Sequence, residues 1–288
     1  PKTNDMKHRT NLFLSLIFSV TGCCMLSGCL QQDKTETAPQ VCTVSTDTII
    51  YLQEGEEVPS CKINLDFSYL KPTAENDSVS PRINAAIQKT LFGNAFMTMT
   101  PDKVLSTLAD NYIRGYRTDV KGLFDADMHN GMKPADVPAW YNYEYQLNTE
   151  MKQGYNGVWN YTLTNFRYTG GAHPNTETTC LNIDSKTGAI LKKNDVFNPK
   201  DTANICKLIM NELIKETNRR LNTDTITSLD GLQEQGILLD TYLYIPSNFL
   251  LEKEGVTFYY NHYEIAPYSA GDFRLQVNYD DIQPYMKK

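Results

Sequence analysis

The stretch Tyr168-Thr169-Gly170-Gly171-Ala172-His173-Pro174 separates two runs of strand-like sequence, and its reading organises the chain. Val158 to Tyr168 before it is rich in aromatic and β-branched residues, and Glu177 to Asp184 after it carries the β-branched Thr178, Thr179 and Ile183. Adjacent glycines let the backbone reach φ > 0 at no steric cost, and Pro174 pushes His173 into an extended conformation. The seven residues therefore predict a tight corner with an imidazole at its exit.

Working outward, Trp140 to Lys152 places Tyr141, Tyr143, Tyr145 and Leu147 on one face and pairs with Val158 to Tyr168 across the turn Gln153 to Gly157. Val41 to Tyr51 and Ile63 to Leu70 read as two more strands joined by an acidic turn that includes Glu56-Glu57. Ser80-Pro81 predicts a helix start, with Ser80 as N-cap and a stripe of Ile83, Ile87 and Leu91 that Gly93 ends. Thr100-Pro101 repeats that start. The helix after it carries Val104, Leu108, Tyr112, Tyr116, Val120 and Phe124 at steps of four, with a break expected near Gly115 or Gly122. Asp201 to Leu221 is a further helix, with Ile205, Leu208, Ile209 and Leu213 inward, and Ser228 to Gln235 a shorter one. Asn248 to Leu251, Val256 to Tyr260 and Phe273 to Tyr279 return to strand before Asp280-Asp281 opens a last helical turn. Strands and helices come in clumps, which predicts an α+β fold of mainly antiparallel sheets packed with a few helices, in two sequential subdomains. We set these at residues 42–175 and 176–288.

The 288 residues carry a net charge of −7, so no basic excess is present to neutralise phosphates and a nucleic-acid partner is not expected. Tyrosine stands out, at 18 residues against two tryptophans. Tyrosines suit strands and also build amphipathic binding surfaces, so both uses stay open, with core packing the first expectation for most of them.

The N-terminus gives a cellular address. Lys7-His8-Arg9 is a basic n-region, and Leu12 to Val20 is an apolar segment too short to span a bilayer. Leu26-Ser27-Gly28-Cys29 follows, and resembles the lipobox of bacterial lipoproteins. The resemblance implies a signal peptide over residues 1–29, with lipid attached to Cys29 and the membrane engaged through that lipid. Val20-Thr21-Gly22-Cys23 fits the pattern less fully. A single uncleaved helix from Leu12 to Leu30 would have to carry three serines, a threonine and two glycines in lipid. Residues 30–41 are polar and unpatterned and read as a flexible tether. The expected location is the bacterial cell envelope, periplasmic or surface-exposed. Four cysteines then remain in the body, Cys42, Cys61, Cys180 and Cys206. In an oxidising compartment they allow three pairings, of which Cys42–Cys61 is expected first and Cys180–Cys206 second.

Two places carry a further resemblance. One is Tyr168 to Pro174, followed by Asp184-Ser-Lys-Thr-Gly188 and Asn194-Asp-Val-Phe197. The other is Phe258 to Gly271, FYYNHYEIAPYSAG. Together they resemble the paired extracytoplasmic domains of unknown function in the lysozyme-sensing anti-sigma factor RsiV. The same pair precedes the catalytic domain of the peptidoglycan deacetylase PdaC. The match runs over about Cys61 to Tyr285, in the form seen in lipoproteins of the Bacteroides type. It implies an envelope-facing recognition module whose partner is a peptidoglycan fragment or a lysozyme-like protein. Tyr168, Gly170, Gly171, His173, Tyr263 and Tyr268 are the residues it nominates for a ligand.

Signatures of a reaction are weak. His173 has no nucleophile near it in sequence, so a histidine that secures the corner by hydrogen bonds is the first expectation and a catalytic base in an envelope glycan hydrolase the second. His262 reads as ordinary packing or as a pocket edge. Ser68-Tyr-Leu-Lys71 lies at a strand end without the companion motifs of penicillin-recognising enzymes. Asp125 to Asp136 lacks the glycine and glutamate positions of a calcium loop. Glu56-Glu57, Glu252, Glu254 and Asp280-Asp281 read as solvated turns or helix starts, and no glycosidase pair is assigned among them. No zinc motif occurs, and neither metal nor cofactor is expected.

Overall fold

β1 (Gln40–Tyr51) and β2 (Ser60–Lys71) form a twelve-residue antiparallel hairpin. The alternation in β2 drives it: Cys61, Ile63, Leu65 and Phe67 are buried while Lys62 and Asn64 face out. The computed structural model describes residues 39–53 and 59–287. The lipobox at Cys29, the alternative at Cys23, the tether up to residue 38 and Glu56-Glu57 lie outside the described residues.

α1 (Val79–Phe92) begins one residue before the expected cap, and Ser80 is buried inside it. The capping is done by Asp77, whose Oδ1 accepts from the N–H groups of Val79 and Ser80, each at 3.0 Å. Its Oδ2 accepts from the Ser80 hydroxyl at 2.8 Å. α2 (Pro101–His129) runs unbroken through Gly115 and Gly122. A helix of this length, about 43 Å, is held by its stripe: Val104, Leu105, Ala109, Tyr116, Val120 and Phe124 are buried on the sheet. That tertiary burial outweighs about 1 kcal/mol of propensity lost at each glycine.

β3 (Tyr143–Gln153), β4 (Val158–Thr169), β5 (Asn175–Asp184) and the short β6 (Ile190–Leu191) complete a six-stranded sheet in sequence order. All its pairings are antiparallel except β2 with β3, which α1 and α2 connect. The two helices cover one face, and the first core lies between them and β2, β3 and β4.

After α3 (Lys193–Val196) comes α4 (Thr202–Leu221), which buries Ile205, Ile209 and Leu213. α5 (Leu229–Glu234) follows, capped by the Ser228 side chain, then the antiparallel sheet β7 (Phe249–Leu251), β8 (Gly255–Tyr260) and β9 (Phe273–Asn278), and last α6 (Tyr279–Ile282). A second core forms between α4 and this sheet around Phe249, Phe258, Tyr260, Phe273 and Leu275. The architecture is α+β with mainly antiparallel sheets.

The two sheets meet along β5 and β7 through asparagine side chains. Asn248 accepts from the Cys180 N–H at 2.6 Å and donates to the Thr178 carbonyl at 2.7 Å. Asn261 accepts from the Thr178 N–H at 2.7 Å and donates to the same carbonyl. Asn182 donates to the Phe249 carbonyl at 2.8 Å and accepts from the Leu251 N–H at 2.7 Å. Amide groups thus satisfy backbone groups that no strand pairs with.

The cysteines correct an expectation. All four in the body are free. In the β1–β2 register Cys42 sits opposite Tyr69 and Cys61 opposite Ile50, eight residues further along. That offset is about 26 Å, against the ~7 Å that a disulfide tolerates between Cα atoms. Cys180 packs with Leu250 and Tyr259, while Cys206 adjoins the second core with its thiol toward the Leu243 carbonyl. Burial raises the Cys61 thiol to about 12 and the Cys180 thiol further, so both are packing groups rather than reactive ones.

Candidate functional site

The Tyr168–Pro174 corner turns on one glycine. Gly170 has φ +81°, and a Cβ there would lie 2.1 Å from the Trp140 carbonyl oxygen. Gly171 has no positive φ, and a Cβ on it would meet only the His173 carbonyl at 3.9 Å. The close approach at Trp140 fixes where the chain leaves β4, and so where His173 emerges.

His173 is exposed and stacks on Tyr268, with ring centroids 4.0 Å apart and planes at 20°. Its Nδ1 faces the Pro174 carbonyl at 3.2 Å and its Nε2 faces the Tyr263 hydroxyl at 3.3 Å. A carbonyl can only accept, so Nδ1 carries the proton in the neutral ring and Nε2 accepts from Tyr263. The Tyr268 hydroxyl donates to the same Pro174 carbonyl at 3.0 Å. Tyr263 and Tyr268 lie 5.6 Å apart, and His262 packs on the other side of Tyr268 at 4.6 Å. The His262 Nδ1 is buried without a hydrogen-bond partner among the described residues.

Tyr263 is 62% exposed and has φ +68°. A tyrosine in the left-handed region costs about 1–3 kcal/mol, and this one returns little of that through burial. Tyr268 opens a 3₁₀ turn, Tyr268–Ala270, which Arg220 at the end of α4 anchors by donating to the carbonyls of Ala270 (2.7 Å) and Asp272 (2.6 Å). The same guanidinium lies 4.2 Å from the centre of the Phe273 ring. Glu216 orients it, bonding both Arg219 and Arg220 at 2.7 Å. The Arg219 hydrogen bond leads in holding the Glu216 carboxyl down to about 2, with burial opposing and Arg220 adding to the effect.

Of the nominated residues, His173, Tyr263 and Tyr268 therefore share one surface patch. Gly170 packs instead against the Trp140 carbonyl. Tyr168 does not join the patch: it pairs with Glu144 across β3 and β4 and faces a groove with Ile49, Tyr51 and Lys62. Ser68 is a buried strand residue bonded to Thr149, and Asp125 to His129 form the last turns of α2.

Glu252 departs from its expected solvated turn. It is only 8% exposed and accepts from the Thr257 hydroxyl, Arg274 and Gln276, with Lys152 at 3.6 Å. Burial alone would raise its pKa, but Thr257, Arg274 and Lys152 outweigh it and hold the carboxyl below its ordinary value. The missed signal is the alternation Thr257, Tyr259 and Arg274, Gln276, which puts polar side chains on the face of β8 and β9 turned away from the second core.

Residues 194–280 match the family model DUF3298, a protein of unknown function. The DUF3298 match runs from α3 to α6 and so contains Tyr263, Tyr268 and Glu252, but not His173. The fold is similar to a crystal structure of a DUF3298 family member from Bacteroides fragilis NCTC 9343, with 24% identity and a TM-score of 0.76 over 87% of this chain and 94% of that one. A DUF3298 family protein from Pseudomonas aeruginosa PAO1 is similar at 16% identity and a TM-score of 0.53, over 86% and 95%. No curated protein matches the chain.

Proposed function

We propose that the chain is a lipid-anchored envelope recognition module that binds through the His173–Tyr263–Tyr268 patch and runs no reaction of its own. The carrying observation is the patch itself: two tyrosines and an imidazole stacked at the surface, with Tyr263 held outward at φ +68°. Strain kept at an exposed aromatic fits a binding role, because backbone outliers persist where function maintains them. Flat aromatic faces suit the C–H face of a sugar ring, which favours an envelope glycan over a lysozyme-like protein as the partner. The imidazole argues against the hydrolase alternative. Both its nitrogens are engaged, Nδ1 by the Pro174 carbonyl and Nε2 by the Tyr263 hydroxyl, so its polar neighbours are a carbonyl and a tyrosine rather than a nucleophile and an orienting carboxylate. Membrane attachment at Cys29 rests on Leu26-Ser27-Gly28-Cys29, and the envelope location on that reading together with the resemblance to the RsiV and PdaC domains.

Sedimentation with peptidoglycan sacculi tests it. Wild type is expected to co-sediment, His173→Ala and Tyr263→Ala to stay in solution while melting cooperatively, and the glycan to remain intact. Release of soluble glycan by wild type, lost in a folded His173→Ala protein, overturns the reading in favour of hydrolysis. Removing a catalytic base lowers a rate about 100- to 10,000-fold, which this assay separates from weakened binding.

A further inference from the structure

The sheet face turned away from α1 and α2 carries side chains in cross-strand rows. One row is Ile49, Lys62, Glu144 and Tyr168, in register across β1 to β4. The row beside it is Tyr51 and Ser60, ending on Asn142, whose Oδ1 accepts from the Ser60 N–H at 2.8 Å and its hydroxyl at 3.2 Å. Together they bound a groove of about 540 Å³. Small-molecule sites run from about 300 to 1,000 Å³.

An outer sheet face is polar in any antiparallel protein, so polarity alone says nothing. Three further features set this end apart. Lys62 and Glu144 are neighbours of opposite charge, yet neither takes part in an ion pair among the described residues. One Glu144 oxygen accepts from Gln146 at 2.6 Å, which leaves the other for a ligand. Ring side chains stand at both ends, Tyr51 on β1 and Tyr168 on β4. The floor is also fixed from behind: the Tyr112 hydroxyl of α2 reaches the carbonyls of Glu144 (3.0 Å) and Tyr168 (3.3 Å), and Gly170 locks the chain against Trp140.

We infer that this groove binds a short neutral oligosaccharide. A pyranose presents a C–H face to a tyrosine ring, and vicinal hydroxyls that donate to a carboxylate and accept from an ammonium. The groove offers one of each, side by side. Their charges cancel, so a neutral ligand seats without leaving net charge desolvated, whereas an anion or cation would leave one group uncompensated. The inference rests on the recognition reading and places a glycan contact at the opposite end of the Tyr168–Pro174 corner from the His173 stack.

Titration of the full chain with the N-acetylglucosamine trimer, cellotriose and maltotriose, followed by protein NMR, tests it. At least one trimer is expected to bind near 1 mM or tighter and to shift resonances of Tyr168, Glu144 and Lys62. Tyr168→Leu and Glu144→Gln are expected to weaken it about three- to tenfold. In Tyr263→Ala, whatever that variant loses at the patch, the shifts at Lys62, Glu144 and Tyr168 are expected to titrate with the wild-type midpoint, which separates the groove from the patch. Asn64→Ala, one row along the same face, is expected to have no effect. No binding of any trimer overturns the groove site and leaves the sacculus result standing. Binding that Tyr263→Ala abolishes and Glu144→Gln does not overturns it as well, and moves the glycan to the stack.

Discussion

At the scale of single residues, the corner separates two glycines that look alike in sequence. Gly170→Ala must place a methyl 2.1 Å from the Trp140 carbonyl at φ +81°, so we expect a loss of at least about 2 kcal/mol. Gly171→Ala meets only the His173 carbonyl at 3.9 Å, an ordinary contact, and should stay within about 0.5 kcal/mol. Chemical denaturation of both variants checks the pair, and equal losses would refute the single-glycine account. Tyr263 gives the complementary case. Tyr263→Gly relieves a left-handed backbone at a 62% exposed position, so stability should rise by about 1 kcal/mol while sacculus binding falls. A drop in stability would make the ring a structural prop instead of a recognition group.

Elements carry the site to its place, and here the sequence was readable in part. Every strand expected from alternation is present, because burial on one face imposes a period of two that no other interaction imitates. The helix α2 outlasts its two glycines because the stripe from Val104 to Phe124 is a tertiary term that a local propensity cannot see. Juxtaposition of His173 with Tyr263 and Tyr268 is visible in the sequence only through the motifs, since the first two are 90 positions apart. Glu252 was misread because burial of a carboxylate depends on Lys152 and Arg274 arriving from other strands. The Cys42–Cys61 pairing fails because spacing in sequence does not state hairpin register. One element supports the patch from a distance: Arg220 at the end of α4 ties down the turn that holds Tyr268. Its partner Glu216 has a depressed pKa of about 2, so it stabilises the fold above its unfolded pKa, and that contribution is lost as pH falls from the ordinary carboxylate range toward 2. Glu252 adds to the loss in the same direction. Wild-type melting temperature should therefore fall between about pH 5 and pH 2, with a shallower fall in Glu216→Gln. Parallel slopes would show that the contacts of Glu216 with Arg219 and Arg220 contribute nothing.

At the scale of the whole molecule, two hydrophobic cores are joined by a seam that three asparagine side chains cross. The first core lies under α1 and α2 and the second under α4, and the buried residues that bridge β5 and β7 are few: Cys180, Leu250 and Tyr259. Val158 of β4 also reaches into the second core and Tyr155 stacks on Tyr279, so the seam is partly apolar, and its buried polar coupling runs through Asn182, Asn248 and Asn261. Asn182 is the most buried of the three, 1% exposed, and also accepts from Asn160 at 3.0 Å. Removing its amide leaves the Phe249 carbonyl, the Leu251 N–H and the Asn160 amide without their partner. Each orphaned buried group costs about 1–3 kcal/mol. Asn182→Ala is therefore expected to lower stability by about 3 kcal/mol or more, and to do so unevenly. The strands β7 to β9 lose one of their three asparagine attachments to β5 while the first core keeps its own packing. Hydrogen exchange should accordingly rise first in β7, β8 and β9, with β2, β3 and the buried face of α2 still protected, and calorimetry should resolve two transitions where wild type gives one. A variant that melts in one transition, with exchange raised equally in both cores, would mean that the seam is not where they are coupled. The patch spans this seam, with His173 just before β5 and Tyr263 and Tyr268 just after β8. Asn182→Ala should therefore weaken sacculus binding with every ring of the patch still present.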